Sequence, residues 1–288
     1  MTPSTTQNKH LNKTFFRWFV LPIIGALLIV GFWSLLAYAT RDVAGVILTP
    51  LETLKTIGAE AKKPNFYRAV FGTLSKSFFS FLISFSAAAV LAVASNLQKW
   101  VKSVIGPLIS VFRALPTAAL ILILLLCVGS RMLPTAVAFL VVFPLSYQNL
   151  YAAIENVDRD LVQMTRVFGM STARRLLHVY LPGVIPAMFS SLIASFGLNI
   201  KVVIAAEVMG LPTVSIGYMI LISKQGFDFG IAFAWLVIAV LISFVCECVL
   251  RIAARLAMPY RYPDRKILKR FFCKIGRVCR RIVGRANR

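Results

Sequence analysis

Acidic residues are scarce in this chain: 10 Asp and Glu stand against 32 Lys and Arg in 288 residues, a formal net charge of +22. Histidine occurs twice, as His10 and His178, and the five cysteines, Cys127, Cys246, Cys248, Cys273 and Cys279, fall at no zinc-site spacing. These shortages exclude a His/Cys metal centre. They also leave His178 without the nucleophile and orienting acid that a catalytic relay requires, so it reads as a surface or partner-facing residue. No G-x-x-x-x-G-K-[ST] phosphate loop occurs, so nothing in the chain is built to hold ATP. The acidic cluster Glu155, Asp158 and Asp160 has no histidine beside it and reads as solvated charge with a helix cap. A membrane-embedded enzyme acting on lipid, which calls for such clusters, is therefore disfavoured. A secondary transporter, with coupling-ion groups and paired repeats, is disfavoured too.

What is abundant is apolar sequence. Hydrophobic residues make up 59% of the chain, and the mean hydropathy is +0.80, well outside the soluble range. About 20 apolar residues cross the hydrocarbon layer, and six such runs are expected as spans: 18–39, 69–95, 104–127, 132–151, 183–206 and 229–250. The runs are too long and too continuous for barrel strands, so the fold class is an all-α membrane protein. The first run has 22 uncharged residues and no small-residue cleavage pattern, and reads as a retained span rather than a secretion signal. The stretch 208–223 carries Gly210, Pro212 and Gly217 and suits a broken or partly inserted segment.

Basic residues set the orientation. Lys9, Lys13 and Arg17 place segment 1–17 in the cytoplasm, and Lys99, Lys102, Arg159, Arg166, Arg174 and Arg175 mark the loops after the second and fourth spans as cytoplasmic. The carboxyl terminus follows, which agrees with an even count of six. Against this, the external loop in 18–68 carries Arg41, Lys55, Lys62, Lys63 and Arg68. The tail 251–288 holds 13 basic residues and one acidic, with Ile267, Leu268, Phe271, Phe272, Ile275, Val278 and Ile282 at helical spacing. It reads as an amphipathic helix on anionic lipid rather than a nucleic-acid site, with a protein contact as the alternative.

The core, 69–250, is interrupted by a charged connection, 152–182. Leu161, Met164 and Phe168 form one apolar stripe on a short helix, Gly169 suits a left-handed cap, and Ser171 suits the cap of a second helix. Pro182 is expected to end the motif. Two short helices at an angle, apolar inside and with arginines outside, suit insertion into a groove on a soluble partner.

Here the chain resembles the transmembrane permease subunits of binding-protein-dependent ABC importers, whose cytoplasmic loop runs Glu-Ala-Ala, three residues, Gly, nine residues, Ile, any residue, Leu-Pro. Gln163, Met164 and Thr165, then Gly169, Val179, Leu181 and Pro182, stand at the matching separations; the acid and both alanines are replaced. VFRALPTAALILILLLCVG, with Arg113, Leu115 and Pro116, and GLNIKVVIAAEVMG, with Ala206, Glu207 and Gly210, are similar to the nitrate, sulfonate and taurine subfamily.

The resemblance implies a type I importer fold and a coupling loop in which Phe168 and Arg174 join the motif residues. It implies a homodimer, or a pair with a close relative, bound to two cytoplasmic ATPase subunits and fed by an extracytoplasmic solute-binding protein. ATP and magnesium would belong to the ATPase; the permease would bind no cofactor and hydrolyse nothing. The location implied is the bacterial inner membrane. The solutes implied are nitrate, sulfonates or taurine, with a thiamine pyrimidine precursor or another small organic solute as the alternative.

An ion at the centre of an inserted helix costs roughly 2.5 to 3.5 kcal/mol, so Lys76, Arg113, Lys201 and Glu207 are expected to avoid lipid. Lys201 and Glu207 are six apart on nearly opposed helix faces, and each needs its own partner or water. Arg113 and Lys201 are candidates for an anion path, with pairing between helices or headgroup contact as alternatives; Pro116, Glu207 and Gly210 are expected to be structural.

Overall fold

The computed structural model describes residues 21–40, 47–210 and 214–257. Among them every regular element is a helix: α1 Leu21–Ala39, α2 Pro50–Glu60, α3 Pro64–Leu97, α4 Lys99–Ala114, α5 Thr117–Glu155, α6 Arg159–Val167, α7 Thr172–Arg175, a π-helical turn Leu176–Tyr180, α8 Leu181–Gly210, α9 Ile216–Gln225 and α10 Phe229–Ala257. The amphipathic tail expected at 265–288 and the amino-terminal segment 1–17 lie outside the described residues.

Four helical runs, Pro64–Leu97, Thr117–Glu155, His178–Gly210 and Phe229–Ala257, are long and apolar enough to cross a membrane, and α1 adds a shorter apolar helix. The tally differs from six chiefly around the third and fourth expected spans. Run 104–127 is not one helix: α4 ends at Ala114, Leu115 is extended at φ −70° and ψ 127°, and α5 starts at Thr117. Pro116 is the reason, since it lacks an amide and its ring drives the preceding residue out of the helical region. Helical structure then runs to Glu155 through a bend at Gly129, where φ 70° and ψ 170° are open only to glycine.

Packing follows from small residues. On α3, Ala69, Thr73, Ser77, Ser80, Ser84, Ala88, Ala92 and Ser95 recur every three or four positions and are all buried. Such a stripe lets helix backbones approach closely where lipid supplies no hydrophobic drive. α3 packs along α5 and α8, which also pack on each other. Ile121, Leu133, Val137, Val202, Val203 and Ala206 fill one part of the core. A second cluster, around Ile109, Phe143 and Tyr147, joins α4 to α3 and α5. A third, around Trp235, Ile216 and Ile238, seats α9 and α10 against α3. The stretch 208–223 is not one segment: α8 carries through to Gly210, and a separate short helix, α9, begins at Ile216.

A charged elbow and the ions of the apolar helices

The elbow begins at Asp158, whose carboxylate Oδ1 accepts the amides of Asp160 at 2.9 Å and Leu161 at 3.5 Å. This satisfies amides that the first turn of α6 leaves without partners. Asp158→Ala is expected to cost α6 about 1 kcal/mol. Hydrogen exchange at the Asp160 and Leu161 amides checks it, because both should exchange faster while α8 keeps its protection.

α6 closes at Gly169, which takes φ +63°. The Met170 amide bonds the Thr165 carbonyl at 2.9 Å, the six-to-one bond of a Schellman cap with glycine at its left-handed position. Past Ser171, whose carbonyl accepts the Arg175 amide at 3.0 Å, α7 passes into the π-helical turn and directly into α8. Pro182 does not end the motif as expected. It sits one residue inside α8, and the widened turn before it relieves the clash its ring would make with the carbonyl four residues back. The second half of the elbow, from Thr172 on, is thus helically continuous with a membrane-length helix.

A second correction concerns the apolar stripe. Leu161 and Met164 are half exposed and Phe168 is 79% exposed; among the described residues of the elbow and its entry, Val162 and Val157 are the buried ones. The stripe faces outward and, with Met170, Val179 and Pro182, lines a groove of about 490 Å³. Gln163, Gly169, Arg174 and His178 are also exposed. Thr165 is turned back on its own helix, donating to the Val162 carbonyl at 2.7 Å. Arg175 is half-buried and donates to the Met170 carbonyl at 3.3 Å. At the root, Val157 lies against Gly183, where an added Cβ would meet its Cγ2 at 3.4 Å. The entry to the elbow is therefore packed on the first turn of α8.

Within the spans, Glu207 is fully buried, and its carboxylate is held by Lys76 Nζ at 3.1 Å, Thr73 Oγ1 at 2.8 Å and the Gly217 amide at 3.3 Å. Thr73 Oγ1 also accepts the Ile216 amide at 2.9 Å. The network ties α3, α8 and the first turn of α9, and it places an anion at a helix amino terminus. Gly217 permits it, since a Cβ there would meet Glu207 Cβ. Gly210 is buried against Leu133 in the same way. The Asn199 amide donates to the Ser77 carbonyl at 2.7 Å and accepts from Ser80 at 3.1 Å. The sequence reading missed this pair; its only trace was one Asn facing the small-residue stripe of α3.

Arg113, near the end of α4, and Lys201, on α8, are both exposed. Among the described residues neither has a carboxylate within ion-pair distance, and no cluster of His, Cys, Asp and Glu could hold a metal ion.

Residues 65–258 match the family model of the binding-protein-dependent transport system inner membrane component. The aliphatic sulfonates transport permease SsuC of Escherichia coli is 32% identical over 133 residues, 45% of this chain and 49% of the relative. The taurine transport system permease TauC of the same organism is 23% identical over 174 residues, 59% of this chain and 62% of the relative. The chain thus spans about half the length of the first relative and somewhat more of the second. Among solved structures, a bacterial alginate ABC transporter in complex with an alginate pentasaccharide-bound periplasmic protein superposes with a TM-score of 0.58 at 16% identity, over 85% of this chain and 97% of the other.

Proposed function

From the premise that this multi-pass membrane chain belongs to the binding-protein-dependent transport system inner membrane components, we propose that it forms half of the pore of an ATP-driven importer. A second copy completes the pore. Two cytoplasmic ATPase subunits, which hold ATP and magnesium, grip the two elbows, and an extracytoplasmic binding protein delivers the solute. Both termini lie in the cytoplasm of a bacterial inner-membrane protein, with the basic tail on anionic lipid.

The observation that carries this reading is the outward apolar stripe on an elbow whose second half runs helically into α8. Leu161, Met164 and Phe168 are exposed, and burying them in a partner's groove removes apolar area from water. Gln163 and Met164 present the second half of α6, with Thr165 beside them, Gly169 sets the angle, and Arg174 offers a charge at the rim. Val179, Leu181 and Pro182 carry motion into α8 through a helix without slack. The half-chain likeness to SsuC and TauC favours a small sulfonate, such as taurine, as the solute. Nitrate or a thiamine pyrimidine precursor is the alternative.

The test is purification from the native membrane in mild detergent. A separate ATPase polypeptide is expected to stay bound, and a Phe168→Ser variant is expected to retain less of it. Full-rate uptake by the chain reconstituted without any ATPase would overturn the reading. The solute that raises the melting temperature of the copurifying binding protein identifies the cargo.

A further inference from the structure

Resting on the importer reading, we propose that Arg113 and Lys201 line a water-filled path through the membrane and make that path selective for anions. The cargo class this implies is a small solute with a fixed negative head, a sulfonate or carboxylate, rather than a neutral or cationic one.

The first ground is depth. α8 has 30 residues, about 45 Å at 1.5 Å per residue, against a hydrocarbon layer of about 30 Å. Lys201 lies nine residues before Gly210 and twenty after Leu181, so a hydrocarbon layer centred on α8 includes it, about 7 Å inside the edge nearer Gly210. Its side chain is exposed and has no carboxylate partner among the described residues. Lys76, by contrast, is satisfied by Glu207.

The second ground is the company these cations keep. Helices that face lipid here expose bulky side chains: Phe78, Phe79, Leu82 and Ile83 on α3, Leu236, Val240 and Phe244 on α10. The exposed face of α8 carries Ala187, Ser190, Ala194, Lys201 and Ala205, with Met209 as its one bulky apolar member, all within about a third of its circumference. On α4, Lys99, Ser103, Pro107, Ser110, Arg113 and Ala114 are exposed within about a third, while Trp100, Val104, Leu108 and Val111 are exposed on the neighbouring side of the same helix. Each of these faces is slim and weakly apolar; among the described residues that of α8 bears one cation without a carboxylate partner, Lys201, and that of α4 bears two, Lys99 at its first residue and Arg113 near its end.

The third ground is symmetry. Were either face a dry contact with a second copy, a twofold axis would bring like residues toward each other, and a cation near the axis would meet its own copy. Water between the copies removes that conflict, and the paired cations then concentrate anions.

The experiment uses the complex with its ATPase and binding protein in liposomes, with Cys127, Cys246, Cys248, Cys273 and Cys279 replaced by alanine. Lys201→Cys is reacted with the anionic 2-sulfonatoethyl and the cationic trimethylammonioethyl methanethiosulfonates, each rate normalised to that with a free thiol. The anionic reagent is expected to be favoured about tenfold, the lower end of field focusing in a charged cleft. Adding Arg113→Gln should abolish most of that preference, and Phe244→Cys on the lipid face should react with neither reagent. Silence of Lys201→Cys throughout the ATP cycle, which lipid or a packed second copy would produce, overturns the proposal. So does reaction without anion preference. Stimulation of ATP hydrolysis by the binding protein, measured on the same liposomes, separates the two readings. If it persists while labelling fails, only the anion path falls; if the unsubstituted complex lacks it, the importer reading falls.

Discussion

Replacing Glu207 with alanine is expected to destabilise the protein by about 3 kcal/mol, the lower end of the cost of breaking a buried ion pair. The carboxylate is wholly buried while Lys76 keeps 21% of its side chain exposed, so the stranded ammonium can turn partly out of the core. That is why the lower end applies. The loss also strands Thr73 Oγ1 and the Gly217 amide, both of which donate to the same carboxylate. The measurement is the thermal unfolding midpoint in detergent. Glu207→Leu combined with Lys76→Met should recover part of the loss, because no charge is then left unpaired, but not all of it, because the Gly217 donor remains. An alanine variant that melts with the parent would mean the pair contributes nothing to stability.

The second large effect is expected at Gly169, where a β-branched residue should detach the elbow from its function. The position is open, with nothing within 4 Å of where a Cβ would stand, but φ is +63°. The obstacle is backbone conformation alone. A left-handed residue costs an L-amino acid roughly 1 to 2 kcal/mol, and asparagine, which tolerates the region, costs less. Gly169→Val should therefore let the Schellman turn open and weaken ATPase retention by about tenfold, since 1.4 kcal/mol is a factor of ten in an equilibrium constant. Gly169→Asn should retain most of it. ATPase recovered per permease after detergent washing reads the difference. Equal retention by both variants would mean the angle at Gly169 is irrelevant to coupling.

Both expectations start from residues visible in the sequence, yet they were legible to different degrees. Gly169 stood out because capping is local: an apolar stripe, a glycine and a second run lie within a few turns, and its left-handed conformation is as expected. Glu207 stood out only as an ion needing a partner. That Lys76 supplies it, 131 positions away, depends on α3 and α8 packing at a depth that brings the two levels together. Pro182 misled for a related reason. Proline disrupts regular α-helix, but a π turn one step earlier gives its ring room, and nothing in the local residues signals that turn. The stripe on α6 misled too: periodicity shows that Leu161, Met164 and Phe168 share a face, not whether the chain itself covers it.

That this is a helical membrane protein, where its long apolar runs lie and where the elbow turns all followed from the residues read in order, because burial in lipid, proline chemistry and helix capping act within one segment. Which buried ions neutralise each other, which cations stay open, and that the second half of the elbow runs unbroken into α8 emerged only from the packed helices. Those outcomes depend on depth and facing between segments far apart in the chain, and no local pattern encodes the relative placement of two helices.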